Sequence, residues 1–309
     1  MTVYISNLVA GLDKGLDHTE LLLEMTRPFG GRVGIEFFIH TYSEAYMERM
    51  ERIGEWAGKL PLALHGPFLH VEATSAPGTA EYGVLTASYG RAFALAQRFG
   101  CGHMVFHDHE RFVRPEQKMD LQAQCLENIG ELIRLAKPWG VRLLLENLAL
   151  PVKGTPLFDQ EEYIGLFDRF PDADCLIDVG HLGVAGWDME TVIGSLAGRI
   201  TGYHLHNNNG TDDSHRRIRD GVIDYDRFFR LYRAYTPSAD LTLEYGDNHG
   251  ITAGDVQQDV EDVLKHVLGE RPAKIKREER KQYEKETFSQ HDAGRSHDSR
   301  AAGRLWVRR

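Results

Sequence analysis

The stretch VRLLLENLALPVKGTPLFDQEEYIGLFDRFPDADCLIDVGH, residues 141–181, decides how the fold is read. VRLLLEN (141–147) and DCLIDVG (174–180) are short runs rich in consecutive apolar residues, and both reach an acidic residue near their C-terminal end. Between them, QEEYIGLFDRF (160–170) spaces its apolar residues as one face of a helix. Consecutive rather than alternating apolar residues imply strands buried on both faces. Such strands, joined through a helix, are expected to run parallel.

The same unit repeats in both directions. Upstream, VYIS (3–6) precedes DHTELLLEMTRPF (17–29), whose leading Asp17 suits a helix cap. VGIEFF (33–38) precedes SEAYMERMERIGEWAG (43–58), and LALH (62–65) precedes VLTASYGRAFALAQRFG (84–100). HMVFH (103–107) precedes PEQKMDLQAQCLENIGELIRLAKPWG (115–140), which opens with proline at the first helical position and closes near Gly140. Downstream, DCLIDVG precedes DMETVIGSLAG (188–198), ITGYHLH (200–206) precedes YDRFFRLYRAY (225–235), and LTLEYG (241–246) precedes DVQQDVEDVLKHVLG (255–269). Eight strand–helix units in about 270 residues match the size of a closed (β/α)8 TIM barrel. No linker interrupts residues 1–270, which therefore read as a single domain; an open doubly wound sheet is the alternative that period alone leaves standing.

Charge divides the chain unevenly. Residues 271–309 carry 12 Lys and Arg against 6 Asp and Glu, whereas the rest carries 24 against 40. The basic tail reads as disordered. A body with a net charge of −16 is a poor partner for nucleic acid, whose binding rests largely on cationic contacts to phosphate. No apolar run is long enough to span a membrane, and the N-terminus reads as a first strand rather than a signal peptide. Three widely spaced cysteines, Cys101, Cys125 and Cys175, fit a reducing cytoplasm and exclude a thiolate zinc site.

Polar residues gather where the strands end. From the second strand onward these ends carry Glu36, His65, His107, Glu146, Asp178, His204 with His206, and Glu244. In a barrel such ends converge on one face, where active sites lie. A glutamate after VRLLL or LTL would be desolvated unless it met a cation or hydrogen-bond donors, which points Glu146, Asp178 and Glu244 toward a metal ion. His204 and His206 stand two apart and share one strand face, so both should point into the barrel. Asp178 and His181 are spaced for a turn to aim both into the mouth. Asp213 and His215 could turn toward one ion, or lie in a solvated loop. Asn207, Asn208 and Asn209 could cap a helix or bind substrate hydroxyls. Arg216 and Arg217 could hold a substrate phosphate, or be solvated. His18, His103 and His109 read as ordinary polar residues. No phosphate-binding glycine loop, dinucleotide fingerprint or serine nucleophile motif is present.

These residues resemble the xylose-isomerase-like TIM barrels, a family of sugar and sugar-phosphate isomerases and epimerases that also includes endonuclease IV. The resemblance covers roughly residues 1–268. It rests on GIEFF, HGPF, FHDH, LLLEN, CLIDVGH, HLHNNNGTDDSH followed by DGVIDY, and LTLEYG, in that order. It implies a metal site made of Glu146, Asp178, His206 and Glu244, with His204 as the alternative imidazole. It further implies that Glu146 and Glu244 act as acid and base on opposite faces of the substrate, and that His181 touches a substrate oxygen. The endonuclease branch implies instead a three-zinc cluster that adds His65, His107, His181, Asp213 and His215. The chain departs from many relatives at Asn207-Asn208-Asn209-Gly210, where Asp-Asn-Asp-Gly is usual, and at Arg219-Asp220-Gly221, where Gly-Glu-Gly is usual. Asp212 replaces a basic residue that some epimerases use on substrate.

The expected function is a divalent-metal-dependent isomerase or epimerase of a small sugar, sugar phosphate or related hydroxy-carbonyl compound, working through an enediolate. Mn2+, Mg2+ or Co2+ suits three carboxylates and one histidine. The alternative is an endonuclease IV-like phosphodiesterase with up to three Zn2+, acting on abasic DNA. A barrel retained only for binding is a third reading, to which intact Glu146 and Glu244 run counter.

Overall fold

The computed structural model describes residues 1–11, 16 and 18–268. Eight strands form the barrel: β1 (Val3–Ser6), β2 (Val33–Phe38), β3 (Leu62–His65), β4 (His103–Phe106), β5 (Arg142–Glu146), β6 (Asp174–Asp178), β7 (Ile200–Leu205) and β8 (Asp240–Leu243). All neighbouring pairs are parallel, and β1 pairs with both β2 and β8, so the sheet closes on itself. The open-sheet alternative is thereby excluded. The basic tail lies outside the described residues, as does Asp17.

Ten α-helices are described around the strands: α1 (Thr19–Thr26), α2 (Glu44–Glu51), α3 (Ile53–Ala57), α4 (Ala80–Phe99), α5 (Lys118–Ala136), α6 (Gln160–Arg169), α7 (Val179–Ala185), α8 (Met189–Ser195), α9 (Tyr225–Tyr235) and α10 (Ala253–Leu268). Three places differ from the reading of the sequence. The stretch 43–58 breaks at Arg52, whose backbone leaves the helical region, giving α2 and α3 instead of one helix. DVGH is a helix start rather than a plain turn, because the Asp178 carboxylate caps α7 by accepting a hydrogen bond from the His181 N–H. Proline 115 opens a 3-10 turn ahead of α5 instead of α5 itself. None of the described helices is long and apolar enough to cross a membrane.

Alternation along the strands sorts the core into two parts. Met104 and Phe106, Leu143 and Leu145, and Cys175 and Ile177 pack outward in the large core shared with the helices. Their alternates Val105, Leu144 and Leu176 form a small separate apolar cluster inside the barrel. Register aligns Val105 with Leu144 and His65, and Leu176 with Glu146 and Gly202. The barrel interior is thus apolar through only one thin layer, and the residues toward the C-terminal ends of the strands are ionisable.

Candidate metal centre

Glu146 closes β5, Asp178 closes β6, His204 lies within β7, and His206 and Glu244 follow β7 and β8 at once. All five are buried, none above 3% exposure. Their side chains and those of His65, His107, His181, Asp213 and His215 converge into adjoining groups whose ligand atoms lie within 4.8 Å of one another. Every residue singled out as a candidate ligand in the sequence therefore reaches the same end of the barrel.

In the first compartment, His65 Nε2 lies 3.1 Å from His107 Nε2, and the latter lies 3.0 Å from Glu146 Oε2. In the outer compartment, Asp213 Oδ2 lies 3.3 Å from His181 Nε2 and 3.1 Å from His215 Nε2. Between them, His204 Nδ1 faces Glu244 at 3.3 Å, Glu146 at 3.5 Å and Asp178 at 3.8 Å. His206 Nε2 lies 3.0 Å from Asp178 Oδ1 and 3.5 Å from Asp213 Oδ1, so it belongs equally to the inner and outer compartments.

The hydrogen bonds behind the rings reveal what these groups lack. His65 Nδ1 donates to the carbonyl of Gly66, His181 Nδ1 to that of Asn147, and His215 Nδ1 to that of Glu244. A carbonyl only accepts, so these Nδ1 atoms carry hydrogen and the neutral rings present Nε2 lone pairs to the site. His107 Nδ1 is likewise turned to the Glu110 carboxylate, which Lys153 holds in place at 2.8 Å. Two imidazole lone pairs then face each other 3.1 Å apart beside a carboxylate. Such an arrangement needs a cation, whether a proton or a metal ion. Glu244 Oε1, Asp213 Oδ1 and His206 Nδ1 are buried with no hydrogen-bond partner among the described residues, which adds to the same deficit. An acceptor-rich site of imidazole and carboxylate donors, with carbonyls and carboxylates orienting the rings from behind, has the donor set of a divalent metal site.

Without metal, protons take that place. Burial pushes the His107 imidazole down, but the Glu146 and Glu110 carboxylates outweigh it and raise its pKa to about 9. Burial likewise opposes protonation of His215, and Asp213 with Glu244 brings it up to about 9. Burial raises Glu244, yet His204 and His215 hold it down at about 2.

The cavity above these groups encloses about 320 Å³. Phe38, Phe68, Leu148 and Leu150 form an apolar wall, and Ser214 and Asn248 line the polar side. Two alternatives left open by the sequence are narrowed at Asn207, Asn208 and Arg217. Asn207 and Asn208 are loop braces: Asn207 Nδ2 donates to Ile218 O at 2.8 Å, and Asn208 Nδ2 to Gly180 O at 2.8 Å. Arg217 is no phosphate ligand, because Asp255 and Asp259 hold its guanidinium at 2.6 and 2.8 Å. His109 pairs with Asp108 at 2.6 Å and is no member of the ligand groups among the described residues.

Sequence reasoning passed over Glu110 and Lys153, and it noted Glu36 at a strand end without giving it a role. Glu110 lies in a loop and Lys153 in a 3-10 turn, and their support of His107 has no signature in spacing. Glu36 does have one. It sits in VGIEFF among apolar neighbours, the same signal that marks Glu146 and Glu244, and it lies 3.0 Å from His204 Nε2.

Comparison with known proteins places this geometry in a wider set. The family model described as xylose isomerase-like TIM barrel matches residues 13–267. Among curated proteins, the uncharacterized protein MJ1311 of Methanocaldococcus jannaschii is 27% identical over 119 residues, covering 36% of this chain. The match spans 40% of that relative's length. Among solved structures, a D-tagatose 3-epimerase-like protein superposes with a TM-score of 0.68 at 16% identity, over 87% of this chain and 97% of that one. An AP endonuclease, family 2, from Brucella melitensis superposes with a TM-score of 0.64 at 16% identity, over 84% and 98%. At these identities the likeness is one of fold.

Proposed function

The chain belongs to the xylose isomerase-like TIM barrel family, and on that footing we propose that it is a divalent-metal-dependent isomerase or epimerase of a small hydroxy-carbonyl compound, such as a sugar or sugar phosphate. The observation that carries this reading is the pair of buried glutamates from β5 and the end of β8, which converge on the same atom, His204 Nδ1, at 3.5 and 3.3 Å. Glu146, Asp178 and Glu244 would hold the ion together with His206 or His204, and Mn2+, Mg2+ or Co2+ suits that set. When bound, the ion supplies Lewis acidity that lowers the cost of removing a proton beside a carbonyl. Glu146 and Glu244 then do the proton work, one taking a proton from carbon and the other, carrying one, returning it to the opposite face. His181 would hydrogen-bond a substrate oxygen, and the apolar Phe68 and Leu148 of the cavity wall would keep water from it. A small-molecule substrate also suits a body too acidic for a nucleic-acid backbone.

Phosphodiester hydrolysis on several Zn2+ ions is the second reading, and one observation favours it. A single ion among Glu146, Asp178 and Glu244 leaves the His65–His107 pair and the Asp213 group without a cation. A D2O experiment separates the two. Metal-reloaded protein is incubated with a panel of ketoses, their phosphates and simpler hydroxyketones, and deuterium entry at carbon is followed by NMR. The isomerase reading expects exchange that Glu146→Gln and Glu244→Gln abolish. Absence of exchange across the panel, with cleavage of a bis-aryl phosphodiester, would overturn it in favour of the hydrolase.

A further inference from the structure

Asp259 shares the buried face of α10 with Val256 and Val263, and it is fully buried. A carboxylate at that depth needs strong partners, and it has them. Arg217 donates to it twice, Nε to Oδ2 at 2.8 Å and Nη2 to Oδ1 at 2.9 Å. Tyr245 donates its hydroxyl to Oδ2 at 3.1 Å, and Arg219 Nε lies 2.9 Å from Oδ1. Asp255 takes Arg217 Nη1 at 2.6 Å, and Asp262 pairs with Arg219. Residues 255, 259 and 262 follow one another at helical spacing, so one face of α10 grips both arginines.

What is gripped is the segment that delivers Asp213 and His215 to the outer compartment. His215 has a φ of 45°, in the left-handed region that a residue with a Cβ adopts at a cost. Such a conformation persists where the surroundings over-determine it. On one side, the Gly246 N–H donates to the His215 carbonyl at 2.9 Å, and His215 Nδ1 donates to the Glu244 carbonyl at 2.9 Å. On the other, Arg216 exchanges backbone hydrogen bonds with Asn207 at 2.8 and 2.9 Å. Tyr245, between Glu244 and Gly246, accepts the Ile218 N–H at 3.2 Å while donating to Asp259. The ligand loop and the end of β8 therefore meet α10 at one carboxylate. Glu146 and Asp178, at the ends of β5 and β6, are positioned without it.

We propose that Asp259 is a positioning residue: through Arg217 and Tyr245 it holds the strained His215 and, with it, Asp213 in place, and so sets the affinity of the outer compartment for a divalent ion independently of the inner one. It touches neither substrate nor ion. The inference rests on the metal-centre reading given above, and goes beyond it in naming what keeps the outer group assembled.

The test uses full-length protein stripped of metal, with Zn2+ and Co2+ titrated by calorimetry. His215→Ala marks the binding step of the outer group and Glu146→Gln that of the inner one. Asp259→Asn should weaken the His215-dependent step by roughly tenfold, the lower end of what outer-shell partners contribute, and leave the other within about twofold. Arg217→Met should do the same, and Arg217→Lys should recover part of the loss. The Arg217→Met/Asp259→Leu variant removes both charges together, which spares the fold an unpaired buried ion, and should still lose the outer step. In metal-free protein, proton NMR should find the Nδ1–H of His215 sharp in the wild type and broadened away in Asp259→Asn. The Nδ1–H of His181, donated to Asn147, should persist. An intact His215-dependent step and resonance in these variants, or equal loss at both steps, would overturn the proposal. Ion binding that ignores His215→Ala would overturn it too, while leaving the inner centre standing. A wild type that binds neither ion would overturn the metal-centre reading, and this inference with it.

Discussion

Glu146 and Glu244 combine near-total burial with a ring of imidazoles, and a carboxylate held this way has little reason to exist without a cation. Replacing either with Gln keeps the volume and removes the charge. Each variant should lose about 10²- to 10⁴-fold in turnover on the substrate that shows exchange. Gly180 offers a different probe. A Cβ there would lie inside the His206 imidazole, so Gly180→Ala must push the ring out of place. Metal affinity in that variant should fall while far-UV circular dichroism stays the same; unchanged affinity would mean that His206 contributes little to binding. Glu146, Asp178 and Glu244 were legible in the sequence because a charge directly after a doubly buried strand has few inexpensive explanations. The choice between His204 and His206 was not, because a period of two puts both on one face.

At the level of elements, the feet of β5 and β6 are tied by a two-pronged contact, Arg142 Nε to Asp174 Oδ2 at 2.6 Å and Nη2 to Oδ1 at 2.8 Å, with His103 of β4 at 3.2 Å. Burial raises the Asp174 carboxyl, but hydrogen bonds from His103 and Arg142 prevail and hold it near 2. A depressed carboxyl contributes stability that is present above its unfolded value of about 3.9 and is lost as pH falls toward 2. Acid titration of metal-free protein should therefore show a slope between pH 4 and 2 that Asp174→Asn flattens, together with a loss of about 1–2 kcal/mol at neutral pH, since Arg142 and His103 are partly exposed. A parallel slope in the variant would contradict this. The capping box of α6, where Asp159 and Glu162 satisfy each other's backbone N–H groups, should contribute about 1 kcal/mol. Urea unfolding of Asp159→Ala would report that figure as a lower midpoint at unchanged slope. Strands were read almost to the residue at β1, β2 and β3, because apolar runs bounded by turns leave little freedom. The break at Arg52 and the start of α7 at Asp178 were missed, because both depend on local backbone geometry and side-chain capping that helical spacing does not encode.

For the whole molecule, a closed barrel brings candidate ligands from six strands and their following loops to one end, so metal binding would be linked to folding. Ligand at 100 times its dissociation constant stabilises the native state by about 2.7 kcal/mol. For a domain this large that corresponds to a rise of roughly 5 °C in the thermal midpoint. Chelator should lower the midpoint by about that amount, and Mn2+ or Zn2+ should restore it. Closure itself could be suspected from eight repeats but not read, because the pairing of β1 with β8 joins residues about 240 apart. The most direct test is the metal content per chain of protein purified without chelator and then reloaded, measured by elemental analysis beside Glu146→Gln and Glu244→Gln. At least one divalent ion per chain, lost or sharply reduced in both variants, is the predicted result. A wild-type chain that holds no ion after reloading with Mn2+, Mg2+, Co2+ or Zn2+ would contradict the account at its centre.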